Sequence, residues 1–215
     1  MADQQPLKIA LAKGRLLEQI VPLLDRVGLA PAAEDIRSRR LILPAPDGCQ
    51  LLIIRAADVC TFVERGAADI GIVGRDLLLE ARPSVYEPLD LNIGRCRLSV
   101  AAPKSRPNPM ALAAGSAVTV ATKYDRLAAD YFLQRGVQAE IIHLYGSMEL
   151  APLVDMADCI VDLVETGGTL RANGLEEVAT LFEISSRLIV NPASYALRRT
   201  TIQPLIERLR QAVEG

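Results

Sequence analysis

Apolar residues follow two rhythms along this chain: short aliphatic runs, and longer stretches in which they return every three or four positions. The first kind reads as buried strand and the second as amphipathic helix. Leu7–Ala12 is therefore a strand, Lys13-Gly14-Arg15 a turn, and Leu16–Val27 a helix with apolar residues at 16, 17, 20, 23, 24 and 27, closed by Gly28. Residues 30–50 are irregular, with Pro44-Ala45-Pro46-Asp47-Gly48 as a turn between strands at 41–44 and 50–54. Asp58 reads as the N-cap of a helix ending at Gly66, followed by a strand over Ile70–Val73 and a short helix over Asp76–Glu80. Residues 96–102 form a strand, and the proline-broken stretch 104–109 a surface loop. Then come a strand at Val118–Ala121, a helix from Asp125 to Gln134 stopped by Gly136, a strand at 139–144, and a helix capped by Ser147 that runs to about Val154. A strand at 159–164 leads into a glycine loop, and the tail carries an amphipathic helix over 202–213 capped by Thr201.

Strands and helices alternating at these lengths imply parallel α/β layers. The sequence also echoes itself. A helix, Ala67-Ala68-Asp69 and the strand IGIVG correspond to a helix, Met156-Ala157-Asp158 and the strand CIVDLVE. Two related lobes are expected, each with ligand loops at its strand C-termini and a cleft between them.

Composition narrows the class. The chain has 215 residues, half of them hydrophobic and only 4% aromatic, enough for an aliphatic α/β core. No apolar stretch reaches the ~18 residues of a membrane span. The polar N-terminus does not read as a signal peptide, so the cytoplasm is the expected compartment. A net charge of −2 with interspersed signs gives no basic stripe for nucleic acid. Four cysteines have no metal-ligand spacing, and Cys159 reads as small apolar filler. With one histidine, His143, and no nucleophile set beside it, triad hydrolysis has no basis.

Residues 158–170, DCIVDLVETGGTL, carry the chemistry. An apolar strand bearing Asp162 and Glu165 breaks into Thr166-Gly167-Gly168-Thr169 ahead of a short helix from Leu170. Paired glycines let successive N–H groups gather around an anion, and the threonines add hydroxyl donors. Carboxylates facing an anion make little sense for phosphate alone. They suit a phosphorylated sugar, whose phosphate takes the N–H groups while its hydroxyls donate to the acids. Strand alternation puts Asp162 on the same face as Val164, which leaves a structural salt bridge as its other reading.

The run IVDLVETGGTLRANGL resembles the loop of the ATP phosphoribosyltransferase family. So, in order, do Ile9–Leu16, Arg55–Val59, Gly66–Gly74, Ala121–Tyr124 and Leu144–Pro152, so that the likeness covers roughly residues 7–195. It implies a bilobal fold similar to type II periplasmic binding proteins. Residues 1–94 plus 179–215 would form the first lobe, and 95–178, with the phosphoribosyl loop, the second. It implies transfer of a phosphoribosyl group from phosphoribosyl pyrophosphate to N1 of ATP, the first step of histidine biosynthesis. Lys13 and Arg55 are then the catalytic candidates at the departing pyrophosphate. Asp162, Glu165, Thr166, Gly167, Gly168, Thr169 and Leu170 bind phosphoribosyl pyrophosphate. Arg15 and Tyr124 bind ATP, with solvated charge the other reading of the cations and core packing that of the tyrosine. Mg²⁺ is expected to arrive chelated by the substrate, with no metal site of the protein's own.

The chain looks like the short form, without a C-terminal regulatory domain. That implies a homodimer alone, and a hetero-octamer with a regulatory subunit similar to histidyl-tRNA synthetase. Ala12, Cys60, Asp125 and Asp155 depart from the family pattern, each near a motif rather than within the glycine loop. A binding protein without catalysis, or a transferase for another base, are the alternatives.

Overall fold

The computed structural model describes residues 5–106 and 108–215. The chain begins β1 (Leu7–Ala12), α1 (Arg15–Arg26), α2 (Ala33–Arg37), β2 (Ile42–Ala45), β3 (Cys49–Ile54), α3 (Ala56–Glu64), β4 (Ile70–Gly74), α4 (Arg75–Ala81) and β5 (Tyr86–Asp90). It continues β6 (Cys96–Pro103), a 3₁₀ turn at Pro109–Ala111, β7 (Ala117–Thr122), α5 (Asp125–Leu133), β8 (Gln138–His143), α6 (Leu150–Leu153), β9 (Cys159–Val164), α7 (Gly168–Ala172) and β10 (Leu175–Ile184). It closes with β11 (Ser186–Val190), α8 (Pro192–Leu197) and α9 (Arg199–Glu214). Two compact units result: one runs to Gly94 and resumes over Ser185–Gly215, the other is Arg95–Ile184. The return to the first unit falls after Ile184 rather than at 178, because β10 stays paired with β6 along its whole length.

The first unit is built on a sheet of order β2-β3-β1-β4-β11-β5. β1 is parallel to β3 and β4, while β11 runs antiparallel to β4 and β5. Ile9, Leu11, Ile70, Ile72, Leu188 and Val190 on one face pack with Ile20, Leu23 and Leu24 of α1 and Ile202, Leu205, Ile206 and Leu209 of α9. Each such side chain contributes roughly 1.5–3 kcal/mol by leaving water. The helices thus owe their places to the spacing by which α1 and α9 were recognised. Asn191 is a buried cross-tie: its Oδ1 accepts from Ser194 N at 2.9 Å, capping α8, while its Nδ2 donates to Val63 O at 2.9 Å at the end of α3.

The second unit has the sheet order β10-β6-β9-β7-β8, with β7 parallel to β8 and β9 and β6 antiparallel to β9. The strands β8-β7-β9-β6 thus repeat the directions and neighbours of β3-β1-β4-β11. The echo in the sequence extends to atoms. Asp69 N donates to Lys8 O at 2.9 Å and Lys8 N returns a bond to Asp69 Oδ2 at 2.8 Å. Asp158 N donates to Thr119 O and Thr119 N to Asp158 Oδ2, both at 2.8 Å. In each unit an aspartate just before a strand, β4 or β9, latches that strand onto its central neighbour, β1 or β7.

Three expected caps are not what the structure uses. The N-cap of α3 is Arg55, with Asp58 in the first turn; α6 is entered at Glu149, and α9 at Arg198. In none of them does a side chain accept from the helix N–H groups, so the cap rule had nothing to detect. Asp155 takes φ 58°, a left-handed conformation that favours glycine, and Arg106 spans this corner, donating to Ala157 O and Pro152 O at 3.0 Å and pairing with the Asp155 carboxylate.

Candidate functional site

β1 and β3 pair in register to Ala12↔Ile54, and Lys13 N carries the ladder one step further by donating to Ile54 O at 2.8 Å. Lys13 and Arg55 therefore emerge from adjacent strand ends on one edge of the first sheet. Arg15 opens α1 two residues later, and all three side chains are exposed. Cations at helix starts oppose the helix dipole. Their gathering here suits an anionic ligand better than it suits the fold.

In the second unit, β9 is buried over Cys159–Val161 and again at Val164, so it delivers the loop from a fixed base. Glu165, Thr166, Gly168 and Thr169 are exposed, and Leu170 turns back into the core at 6% exposure. Gly167 has φ 70° and ψ 11°, the left-handed turn that lets α7 begin at Gly168. The helix thus starts two residues earlier than the expected Leu170. An added Cβ at Gly168 would meet only Thr166 Oγ1, at 3.5 Å, so nothing in the chain itself demands a bare backbone there.

Asp162, half-buried, lies with Oδ1 3.9 Å from Lys123 Nζ and accepts from Leu163 N at 2.8 Å. The ion-pair reading of this acid therefore has a partner, and that partner sits at the end of β7, the strand beside β9. Tyr124 corrects an expectation. Its ring is fully buried, with Lys123 Nζ 4.9 Å from its centroid, and Thr122 Oγ1, itself buried, accepts from Tyr124 N at 2.9 Å. A ring enclosed in the core has no face for adenine, and Tyr124 packs instead. His143 ends β8 at the surface, with Nδ1 2.8 Å from Asp125 Oδ1 and 2.9 Å from Oδ2.

Three further side chains brace the loop and went unnoticed in the sequence. Arg171 Nη1 donates to Thr166 O at 2.9 Å. Arg97 Nη1 donates to Glu165 O at 3.2 Å, and its other two nitrogens hold Glu177 at 2.6 and 2.5 Å. The Arg97 guanidinium, helped by the hydroxyls of Ser99 and Thr180, pulls the Glu177 carboxyl down to about 2 from an ordinary 4.5. Nothing in a linear reading separates these charges from solvated ones; only the β6–β9 and β6–β10 registers bring them to the loop. Among the described residues, no three His, Cys, Asp or Glu side chains gather as a metal cage, and no helix is long and apolar enough to cross a membrane.

The family model described as HisG: ATP phosphoribosyltransferase matches residues 55–211. The chain is 53% identical over 211 residues to the ATP phosphoribosyltransferase of Methylococcus capsulatus, covering 97% of each. It is 51% identical over 215 residues to that of Bordetella avium, covering 98% of this chain and 95% of the relative. Among solved structures, the ATP phosphoribosyl transferase (HisG:HisZ) complex from Thermotoga maritima superposes with a TM-score of 0.83 at 34% identity, over 97% of this chain and 98% of that one. The periplasmic aliphatic sulphonate binding protein SsuA of Escherichia coli follows at TM-score 0.62 and 12% identity, over 98% and 69%, a likeness of fold alone. The two-unit α/β architecture is that of the type II periplasmic binding proteins.

Proposed function

The chain belongs to the ATP phosphoribosyltransferase family, and from that premise we propose how its residues divide the reaction. The enzyme transfers the 5-phosphoribosyl group of phosphoribosyl pyrophosphate to N1 of the adenine of ATP and releases pyrophosphate, opening histidine biosynthesis. A bond forms from N1 to ribose C1 as the bond from C1 to the pyrophosphate oxygen breaks. Positive charge builds on the sugar and negative charge on the leaving group. Adenine N1 already carries a lone pair, so catalysis rests on fixed charges more than on a general base.

In this reading the loop from Glu165 to Leu170, exposed as far as Thr169 with Leu170 anchoring it in the core, takes the sugar phosphate. Thr166, Gly167, Gly168 and Thr169 offer N–H and hydroxyl donors, and Asp162 and Glu165 accept from the ribose hydroxyls. The left-handed turn at Gly167, which brings these donors into one short exposed segment, is the observation that supports it most. Lys13 and Arg55 are assigned to the pyrophosphate, where charge grows as the bond breaks, and Arg15 to ATP. The carboxylates Asp162 and Glu165 are too few for a protein-built magnesium cage and fit an ion delivered by the substrate. Mg²⁺ chelated by pyrophosphate would neutralise the leaving group.

We further assign the chain as a cytoplasmic homodimer that forms a hetero-octamer with a regulatory subunit similar to histidyl-tRNA synthetase. The likeness to a chain of the Thermotoga maritima HisG:HisZ complex supports a partner of that kind. The test is to mix the protein with ATP, phosphoribosyl pyrophosphate and Mg²⁺, alone and with that partner, and follow the adenine chromophore, which N1 alkylation alters. A time-dependent change that needs both substrates is expected. A flat trace in both mixtures would overturn the reading.

A further inference from the structure

The direction of an amide N–H is fixed by the carbonyl across its peptide plane, because in a trans peptide the two point opposite ways. The carbonyl of Glu165 therefore aims the N–H of Thr166, and that of Thr166 aims the N–H of Gly167. Both carbonyls are held by guanidinium groups: Glu165 O by Arg97 Nη1 at 3.2 Å and Thr166 O by Arg171 Nη1 at 2.9 Å. Arg97 is itself anchored. It lies opposite Val164, the last residue before the loop, in the β6–β9 ladder. Its Nε and Nη2 fork onto Glu177 at 2.6 and 2.5 Å, and Ser99 Oγ and Thr180 Oγ1 donate to the same carboxylate at 2.7 and 3.1 Å. Ser99 is fully buried, so the anchor rests on the core of the sheet.

We propose that Arg97, clamped by Glu177, and Arg171 are positioning residues that aim the Thr166 and Gly167 N–H groups at the sugar phosphate. The inference rests on the phosphate-loop reading above and adds to it the parts that set the loop before substrate arrives. Neither arginine needs to touch substrate. At Arg97 the contacts use a planar fork and a spare donor, which lysine lacks, while Arg171 holds Thr166 O through one Nη1 donor. Pre-set donors bind a phosphate without the cost of ordering the loop at that moment.

The test uses the full-length enzyme carrying Arg97→Lys, with Arg171→Ala, which removes the donor to Thr166 O, made in parallel as a second route should the first fold poorly. Three quantities are read: hydrogen exchange at the amides of 166–168, the dissociation constant of phosphoribosyl pyrophosphate, and that of ATP. The expected result is loop exchange about tenfold faster and phosphoribosyl pyrophosphate binding about tenfold weaker, with ATP binding and the exchange of β6 and β10 unchanged. Lysine retains the charge, so a merely electrostatic role predicts rescue. Rescue, or equal losses for both substrates, or a loosened loop with unchanged phosphoribosyl pyrophosphate affinity, would each overturn the proposal. Gly168→Ala separates the two levels. If it weakens phosphoribosyl pyrophosphate binding while the two arginine variants do not, the positioning role alone falls. If none of the variants weakens it, the phosphate reading falls as well.

Discussion

Gly168→Ala isolates substrate contact from folding, because the structure gives a methyl group there nothing to disturb. The added Cβ finds only Thr166 Oγ1, at the ordinary distance of 3.5 Å. The residue opens α7 without the left-handed φ that Gly167 carries, so alanine meets no backbone strain. Alanine is favoured over glycine in helices by up to about 1 kcal/mol, so the melting temperature should hold or rise by roughly 2–4 °C. Binding should respond in the opposite direction. A phosphate lying against the bare backbone would be pushed off one or more donors. Hydrogen bonds to charged groups are worth about 1.5–3 kcal/mol each. Losing one raises the KM for phosphoribosyl pyrophosphate by roughly ten- to a hundredfold, at 1.4 kcal/mol per factor of ten. Thermal unfolding and initial rates with phosphoribosyl pyrophosphate as the varied substrate, at saturating ATP, measure both sides. An unchanged KM in a stably folded variant would refute the close approach of phosphate to this backbone.

Other perturbations probe separate links. Arg55→Ala should lower kcat by about a hundredfold while moving the KM for phosphoribosyl pyrophosphate little, since a donor needed as charge develops acts on turnover; steady-state kinetics decides, and a pure KM effect would reassign Arg55 to ground-state binding. Gly71→Ala should leave both KM values intact yet destabilise the first unit by about 1–3 kcal/mol, because its Cβ would lie 2.7 Å from Val63 Cγ2 and 2.9 Å from Val59 Cγ1. Calorimetry showing no loss would mean that α3 can shift away from β4. The Glu177 carboxyl is lowered in the fold from 4.5 to about 2, so its contribution is complete above pH 4.5 and is lost as pH falls towards 2. Glu177→Gln should reduce stability at neutral pH and flatten the decline over that acid range in denaturant titrations; a decline as steep as the parent's would place the acid sensitivity elsewhere.

How much of this was legible depends on burial and on run length: the five-residue β11, although buried at four positions, was missed. β9 and β4 announce themselves because they are covered on both faces, and nothing but a buried strand explains such runs. β10 does not: its residues 175–184 mix exposed Glu176, Phe182 and Glu183 among apolar positions, as an edge strand with one neighbour does. β5, a short edge strand, and α2, which buries no residue, left equally little trace in the pattern. The loop proposed for the phosphate stood out because its glycines and threonines are local and consecutive. Its supports were not, since Arg97, Glu177 and Arg171 meet the loop only through strand register and the turn of a short helix. Tyr124 misled for a related reason. An aromatic residue after a strand end looks available, and only its complete burial in the fold reveals that it packs inward.

Whether the turn after β9 holds the sugar phosphate is decided by the backbone amide resonances of residues 165–170, followed as phosphoribosyl pyrophosphate is added to the full-length enzyme. Thr166, Gly167, Gly168 and Thr169 should show the largest saturable shifts in the second unit, at the affinity found kinetically. Saturation of the enzyme with those four amides unmoved would contradict that role of the turn.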